Sequence, residues 1–258
     1  MDLGLRGRTA LVMGASRGLG RAIAAALARE GARVAIASRS QERLEEAAVA
    51  IADGLPASSS PPMPFVADAT DPERLAALPA EVEAELGPVE ILVANTGGPP
   101  FGGALDHELD EWEAAYRSLV LALKVLADAV LPGMRERGWG RIVNVGSTST
   151  REPIPFLNLS NVHRMAAVGY LKTLAGEVAG DGITVNTVAT GRFATERLAD
   201  AEGSLAPAEE AAKNDVPAAR LGLPEEYGDL VAFLCSERAA YLTGAVIPLD
   251  GGILHSAF

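Results

Sequence analysis

The sequence predicts an α/β fold of the doubly wound kind, a parallel sheet with helices on both faces, formed as a single domain over residues 1–258. Three observations predict it. Short, nearly all-apolar runs alternate with longer Ala-rich helical stretches along the whole chain. Those runs lack the polar alternation of a half-exposed sheet, as strands covered on both faces should. The first run ends in a glycine-rich turn that opens a helix.

In chain order, Thr9–Met13 reads as a buried strand, and Arg21–Arg29 as a helix with Gly31 as its C-terminal stop. Arg33–Ala37 is the next strand and Gln41–Ala52 the next helix. Pro64–Ala67, Val89–Ala94, Arg141–Val145 and Thr184–Val188 repeat the strand signal, and Val246–Leu249 is a last strand. Helices fill Asp71–Leu86, Asp110–Arg137, Ser160–Ala179 and Pro224–Ser236. The stretch 55–64, LPASSSPPMP, is the most linker-like, but its place between helix and strand makes it a surface loop. Arg192–Ala219 is less regular, and reads either as a lid or substrate loop or as a variable surface excursion.

Composition bounds the function classes. Hydrophobic residues are 48% and charged residues 22%, the balance of a globular chain with a sizeable core. Twenty-two basic against 34 acidic side chains give a net charge of −12, which argues against binding nucleic acid or an anionic membrane surface. The one cysteine, Cys235, allows no internal disulfide and reads as a small buried hydrophobe in a reducing compartment. The N-terminus lacks the basic-then-apolar order of a signal peptide, and no apolar run reaches the roughly 18 residues of a membrane span. The expectation is a soluble, cytoplasmic protein. No metal-ligand spacing surrounds His107 or His255.

The turn Gly14-Ala15-Ser16-Arg17-Gly18-Leu19-Gly20 joins the first strand to the first helix. Glycines there permit positive φ and close approach of the backbone to a pyrophosphate, which the N–H groups and dipole of the following helix then hold. Its position in a βαβ unit points to dinucleotide binding on a Rossmann fold. The next strand ends in Ser38-Arg39, about twenty residues beyond the turn, where a carboxylate would hold the ribose hydroxyl of NAD. Ser38 cannot take that role and Arg39 suits a 2′-phosphate, with Arg17 a second positive charge, so NADP is favoured over NAD. Alternatively, both arginines are solvated surface groups.

With these residues the chain resembles the short-chain dehydrogenase/reductase family over nearly its whole length. The family's Gly-x-x-x-Gly-x-Gly turn falls on Gly14, Gly18 and Gly20. Asp68, followed by Ala69, resembles its adenine-contacting aspartate. Asn95-Thr96-Gly97 resembles its Asn-Ala-Gly motif, and Asn144-Val145-Gly146-Ser147 the strand that delivers its catalytic serine. Thr190-Gly191 stands at its Pro-Gly position. Further landmarks are Arg220-Leu221-Gly222, Leu242-Thr243-Gly244 and Asp250-Gly251-Gly252. The resemblance implies that Gly14, Ser16, Arg17, Gly18, Leu19, Gly20, Ser38, Arg39, Asp68, Ala69, Asn95, Gly97, Arg164, Thr190 and Gly191 line the cofactor site.

The family's catalytic residues are mostly replaced. Counting on from Ser147, its tyrosine position is Ser160, its lysine position is Arg164, and its helix asparagine falls near Leu119. The catalytic candidates are therefore Ser147, Ser160 and Arg164. A serine hydroxyl is too weak an acid to replace a phenol near neutral pH, though it can donate a hydrogen bond to a substrate oxygen. Arg164 lies one helical turn from Ser160, and its fixed charge could bind the nicotinamide ribose and stabilise an oxyanion without carrying protons. His163 is the nearby group with a suitable pKa, against the commoner role of a helix histidine in packing. Tyr170 is too far along the helix to serve as the phenol.

The resemblance implies an NADP(H)-dependent reductase of a carbonyl or acyl-thioester substrate, similar to the 3-oxoacyl-acyl-carrier-protein reductases. Loss of the tyrosine–lysine pair leaves two alternatives open. One is a catalytically silent NADP(H)-binding sensor or partner subunit; the other is a reaction in which water or substrate supplies the proton. Phe101, Phe156, Leu157 and Phe193 lie in loops expected near the pocket, as apolar contacts for a ligand or as ordinary loop anchors. The family's assembly implies a homotetramer or homodimer built on Asp110–Arg137, Ser160–Ala179 and residues 246–258.

Overall fold

The computed structural model describes residues 1–56 and 59–256, except for the side chains of residues 201 and 202. Seven strands form one parallel sheet: β1 (Thr9–Met13), β2 (Arg33–Ser38), β3 (Met63–Val66), β4 (Val89–Ala94), β5 (Gly140–Val145), β6 (Ile183–Thr190) and β7 (Val246–Leu249). Their spatial order is β3-β2-β1-β4-β5-β6-β7. The helices are α1 (Gly18–Arg29), α2 (Gln41–Asp53), α3 (Pro72–Leu86), α4 (Leu109–Tyr116), α5 (Ala122–Arg137), α6 (Asn158–Val178), α7 (Glu196–Glu202), α8 (Ala206–Asp215) and α9 (Pro224–Leu234).

Every residue of β1, β4 and β5 is buried, because helices cover both faces. Successive side chains of a strand point to opposite faces, which divides the core in two. Ala10 and Val12 pack with Ile23 and Leu27 of α1, Leu44 of α2 and Val231 of α9. Leu11 and Met13 pack on the other side with Leu75 and Leu78 of α3, Leu126 of α5 and Leu171 of α6. Local chemistry sets the helix ends. Ser40 and Asp71 accept the backbone N–H groups of Arg43 and Arg74, and Gly138 ends α5 with φ +63°.

Two expected elements differ. The single helix expected over Asp110–Arg137 is α4 and α5 joined by a π turn over Arg117–Leu121, which inserts an extra residue into the helix. The stretch 192–219, expected to be irregular, contains α7 and α8. Ala208, Ala212, Val216 and Leu221 form a small core of their own beneath them. The buried face of α8 consists of alanines, which give little hydrophobic contrast to read.

The sheet order reverses between β1 and β4. Chains leaving the C-terminal ends of these strands diverge and leave a crevice, the place where open α/β sheets receive ligands. Gly14 and Asn95 stand at its two sides.

Candidate active site

The glycine turn is shaped by backbone and by close contact. Gly14 and Gly18 have φ of +59° and +54°, values an L side chain rarely adopts. A Cβ on Gly14 would collide with the Asn95 carbonyl oxygen, and one on Gly20 with the carbonyl oxygen of Gly14. Gly20 lies inside α1, where glycine costs about 1 kcal/mol relative to alanine, and this collision explains its presence. The Asn95 side chain donates to the Gly14 carbonyl at 3.2 Å, tying the end of β4 to the turn. No side chain caps α1 and its first turn carries no acidic residue, so its N–H groups and positive dipole end face the crevice. Leu19 turns its side chain onto the core and so contributes only backbone to the turn.

At the end of β2, the Ser38 hydroxyl is buried without a hydrogen-bond partner, beside an exposed Arg39 that joins no ion pair among the described residues. A buried unpaired hydroxyl is costly unless a ligand satisfies it. Asp68, just past β3, accepts from the backbone N–H and hydroxyl of Thr70, both at 2.8 Å, which fixes its carboxylate at the sheet edge with Ala69 beside it. A turn open to phosphate, an orphan hydroxyl and an unpaired guanidinium together fit an adenine dinucleotide.

The second half of the site lies past β5. Gly146 donates to the Val188 carbonyl at 2.8 Å, and a Cβ there would strike Thr187 and Val188, so the chain leaves β5 pressed against β6. Ser147 follows in an extended conformation, and its hydroxyl accepts the Ser149 N–H at 3.1 Å. The Ser149 hydroxyl lies 3.4 Å from that of Ser160 on α6. Ser147, Ser149 and Ser160 thus form a chain of hydroxyl-bearing residues, the last two buried. Sequence reasoning missed Ser149; the hydroxyl-dense run Ser147-Thr148-Ser149-Thr150 was the available signal.

Arg164 lies one turn after Ser160. Its guanidinium donates to the Val145 carbonyl at 2.7 Å and to the Gly97 carbonyl at 2.6 Å, while its Nε is buried and unpartnered. Burial is the main cause that brings its pKa down to about 10, opposed by Tyr227 and assisted by Arg197. Arg164 remains a cation at neutral pH.

His163 turns away from this cluster. It is buried against Trp112 and Tyr116 of α4, with ring centroids 5.3 and 6.5 Å away, and its Nδ1–H donates to the Leu159 carbonyl at 2.8 Å. Its role is packing between α4 and α6. Tyr170 packs on the core, and burial pushes its phenol up to about 12. Leu119 is buried inside the π turn. Cys235 is fully buried, and burial pushes its thiol up to about 12, so it is an inert core residue.

At the front of the crevice α7 lies against the glycine turn. Arg17 pairs with Asp200 at 2.6 Å and Arg21 with Glu196 at 3.1 Å. Glu196 and Thr195 come within about 3.6 Å of the space a Cβ on Gly18 would fill. At the end of β6, the Thr190 hydroxyl meets the buried phenol of Tyr227 at 2.9 Å, and a Cβ on Gly191 would collide with Asp250. Opposite, Gly102 exchanges backbone hydrogen bonds with Phe156 and Asn158, joining residues 97–108 to the approach of α6. Phe101 and Phe156 stand exposed along this wall, Phe156 with a strained φ of +59°. Phe193 is instead a core residue, 6% exposed and edge-on to Tyr227 at 5.2 Å, so it is an anchor and not a ligand contact.

A parallel sheet with its switch point at a glycine turn, facing hydroxyls and a cation across one crevice, defines a nicotinamide-dependent oxidoreductase of the Rossmann type. The family model described as enoyl-(acyl carrier protein) reductase matches residues 14–254. Dehydrogenase/reductase SDR family member 4 of Oryctolagus cuniculus is 36% identical over 96% of this chain and 94% of its own length. The 3-oxoacyl-[acyl-carrier-protein] reductase FabG of Vibrio cholerae is 36% identical over 97% of this chain and 99% of its own. Among solved structures, L-sorbose reductase of Gluconobacter frateurii, complexed with NADPH and L-sorbose, is similar with a TM-score of 0.90. It is 32% identical, with 99% of this chain and 100% of that one covered. The chain belongs to the short-chain dehydrogenase/reductase family.

Proposed function

We propose that the protein is an NADP(H)-dependent reductase of a carbonyl substrate, with Ser147, Ser160 and Arg164 at its reaction centre. The observation that carries this reading is the convergence of the Arg164 guanidinium and the Ser147–Ser149–Ser160 hydroxyls at the ends of β4 and β5, across the crevice from the glycine turn. The preference for NADP rests on Ser38, Arg39 and Arg17, and on the NADPH bound in the sorbose reductase relative. Gly14, Ser16, Arg17, Gly18, Leu19 and Gly20 would hold the diphosphate. Ser38 and Arg39 would hold the 2′-phosphate, Asp68 and Ala69 the adenine side, and Asn95, Gly97, Thr190 and Gly191 the nicotinamide side. A bound NADPH supplies the hydride that reduces the carbonyl carbon.

The chain's own residues then serve the oxygen. Ser147 and Ser160 donate hydrogen bonds to it, and Ser149 orients Ser160. The positive field of Arg164 favours the negative charge that develops as the carbonyl is reduced. Residue 160 carries no phenol, and a serine hydroxyl does not release its proton at neutral pH, so water or the substrate protonates the oxygen. Residues 192–219 form the substrate lid. The names of the relatives support 3-oxoacyl thioesters as one substrate class to try. The exposed Tyr116, Val162 and Met165 on the outer faces of α4 and α6 support a homodimer or homotetramer through those helices. Among the described residues no helix is long and apolar enough to cross a membrane; a cytoplasmic location is part of this proposal.

The test is oxidation of NADPH by purified protein with a panel of ketones and 3-oxoacyl thioesters. Substrate-dependent loss of dihydronicotinamide absorbance is expected. NADPH binding without turnover on every substrate would favour the silent-partner alternative.

A further inference from the structure

The end of α1 that is built to face anions already meets two, and both belong to this chain. Arg17 pairs with Asp200 of α7 at 2.6 Å, and Arg21 pairs with Glu196 at 3.1 Å. Glu196 and Asp200 lie four residues apart, on one face of α7. The cations they meet are also four residues apart, one in the glycine turn and one in the first turn of α1, so the pairs form a two-rung ladder. The second carboxylate oxygen of Glu196 lies 3.5 Å from the point that a Cβ on Gly18 would occupy. The first turn of α1 has no acidic residue and no side-chain cap, so α7 brings negative charge to its positive end. The diphosphate of a dinucleotide belongs at that same end.

The ladder is not what holds α7 in place. Thr195 caps the helix by accepting the Leu198 N–H, Leu198 packs against the small core of Ala208 and Ala212, and Arg197 donates to the carbonyls of Gly98 and Pro99 at 3.0 and 3.3 Å. The four ladder side chains are 41% to 63% exposed, and ion pairs so open to water stabilise little and exchange partners readily. Phosphates arriving at the turn meet the same guanidiniums, and both sets of anions cannot share them without repulsion. We propose that Glu196 and Asp200 are specificity-determining residues for the cofactor, standing in for its phosphates in the free protein and yielding Arg21 and Arg17 to them on binding. NADPH then binds against an internal competitor, and the Arg17–Asp200 pair limits how strongly the 2′-phosphate is preferred. This rests on the NADP(H) reading above.

The test is calorimetric titration of the purified protein with NADPH and with NADH, wild type against the isosteric variants Asp200→Asn and Glu196→Gln. Asp200→Asn should tighten NADPH about three- to fivefold and NADH by less than about twofold. Glu196→Gln, whose carboxylate lies at the diphosphate end, should tighten both nucleotides by a similar factor of about two to five. In an Arg17→Met background, Asp200→Asn should change NADPH affinity by less than about 1.5-fold, because the cation that it releases is gone. Unchanged or weaker NADPH binding by Asp200→Asn would overturn the proposal, as would an equal gain for NADPH and NADH in that variant. So would a gain of the same size with and without Arg17, which would reduce the effect to the general charge of the surface. Failure of both nucleotides to bind wild type and variants alike would overturn the NADP(H) reading itself, and the stand-in role with it.

Discussion

The two sides of the crevice are built from different material. The glycine turn works through backbone: two positive φ values, two close approaches that exclude a Cβ, and a helix end without a cap. The proposed reaction centre is built from side chains, namely the hydroxyls of Ser147, Ser149 and Ser160 and the Arg164 guanidinium held on two carbonyls. A backbone device fails when any side chain is added. A side-chain device can change its chemistry while its frame stays in place, and on the proposed reading α6 does so, with Ser160 and Arg164 where the family resemblance implies a phenol and an amine. Fold and cofactor geometry can therefore persist while the proton chemistry changes.

The contrast can be tested from its strongest point downward. Gly20→Ala pushes a methyl into the Gly14 carbonyl, and NADPH binding should weaken at least about 100-fold, about 3 kcal/mol, by calorimetry. Normal affinity in that variant would show that the turn yields, and the backbone account would fall. Next, Arg164→Met leaves the Val145 and Gly97 carbonyls without their donor. We expect turnover to fall about 100-fold and unfolding free energy by about 2–4 kcal/mol, from steady-state kinetics and urea titration. A stable variant with unchanged turnover would remove Arg164 from the centre.

The pH profile sharpens the same point. Burial brings the Arg164 guanidinium down to about 10, so the cation is present below that pH and is lost as pH rises through it. Turnover with a non-ionising substrate should be level through neutrality and decline above about pH 10. A step near neutrality would instead place a different titrating group in the proton path. The smallest effect is expected of Ser160→Ala, a loss of one hydrogen bond to the developing oxyanion, costing about 1 kcal/mol and about five- to tenfold in kcat with the KM for NADPH unchanged. A loss as large as that of Arg164 would show Ser160 to be the proton donor after all.

Much of the fold was legible because the strands of a helix-covered parallel sheet read as short, nearly unbroken apolar runs. Thr9–Met13, Val89–Ala94 and Val246–Leu249 are strands over the same residues that the pattern marks. The glycine turn was legible for the related reason that backbone constraints restrict residue identity at each position. The π turn at Arg117–Leu121 was not, since one inserted residue hardly disturbs a helical period. Nor were α7 and α8, the latter with a buried face of alanines. Ser149 escaped because a hydroxyl signals a site only through its neighbours in space. Of the two readings left open for Phe193, the anchor holds, its ring resting on Tyr227 within the core.

The most direct measurement is a calorimetric titration of the purified protein with NADPH and, in parallel, with NADH. The glycine turn together with Ser38, Arg39 and Arg17 should give saturable NADPH binding at one site per chain, at least about tenfold tighter than NADH. Equal affinities, or no heat from either nucleotide, would contradict the account.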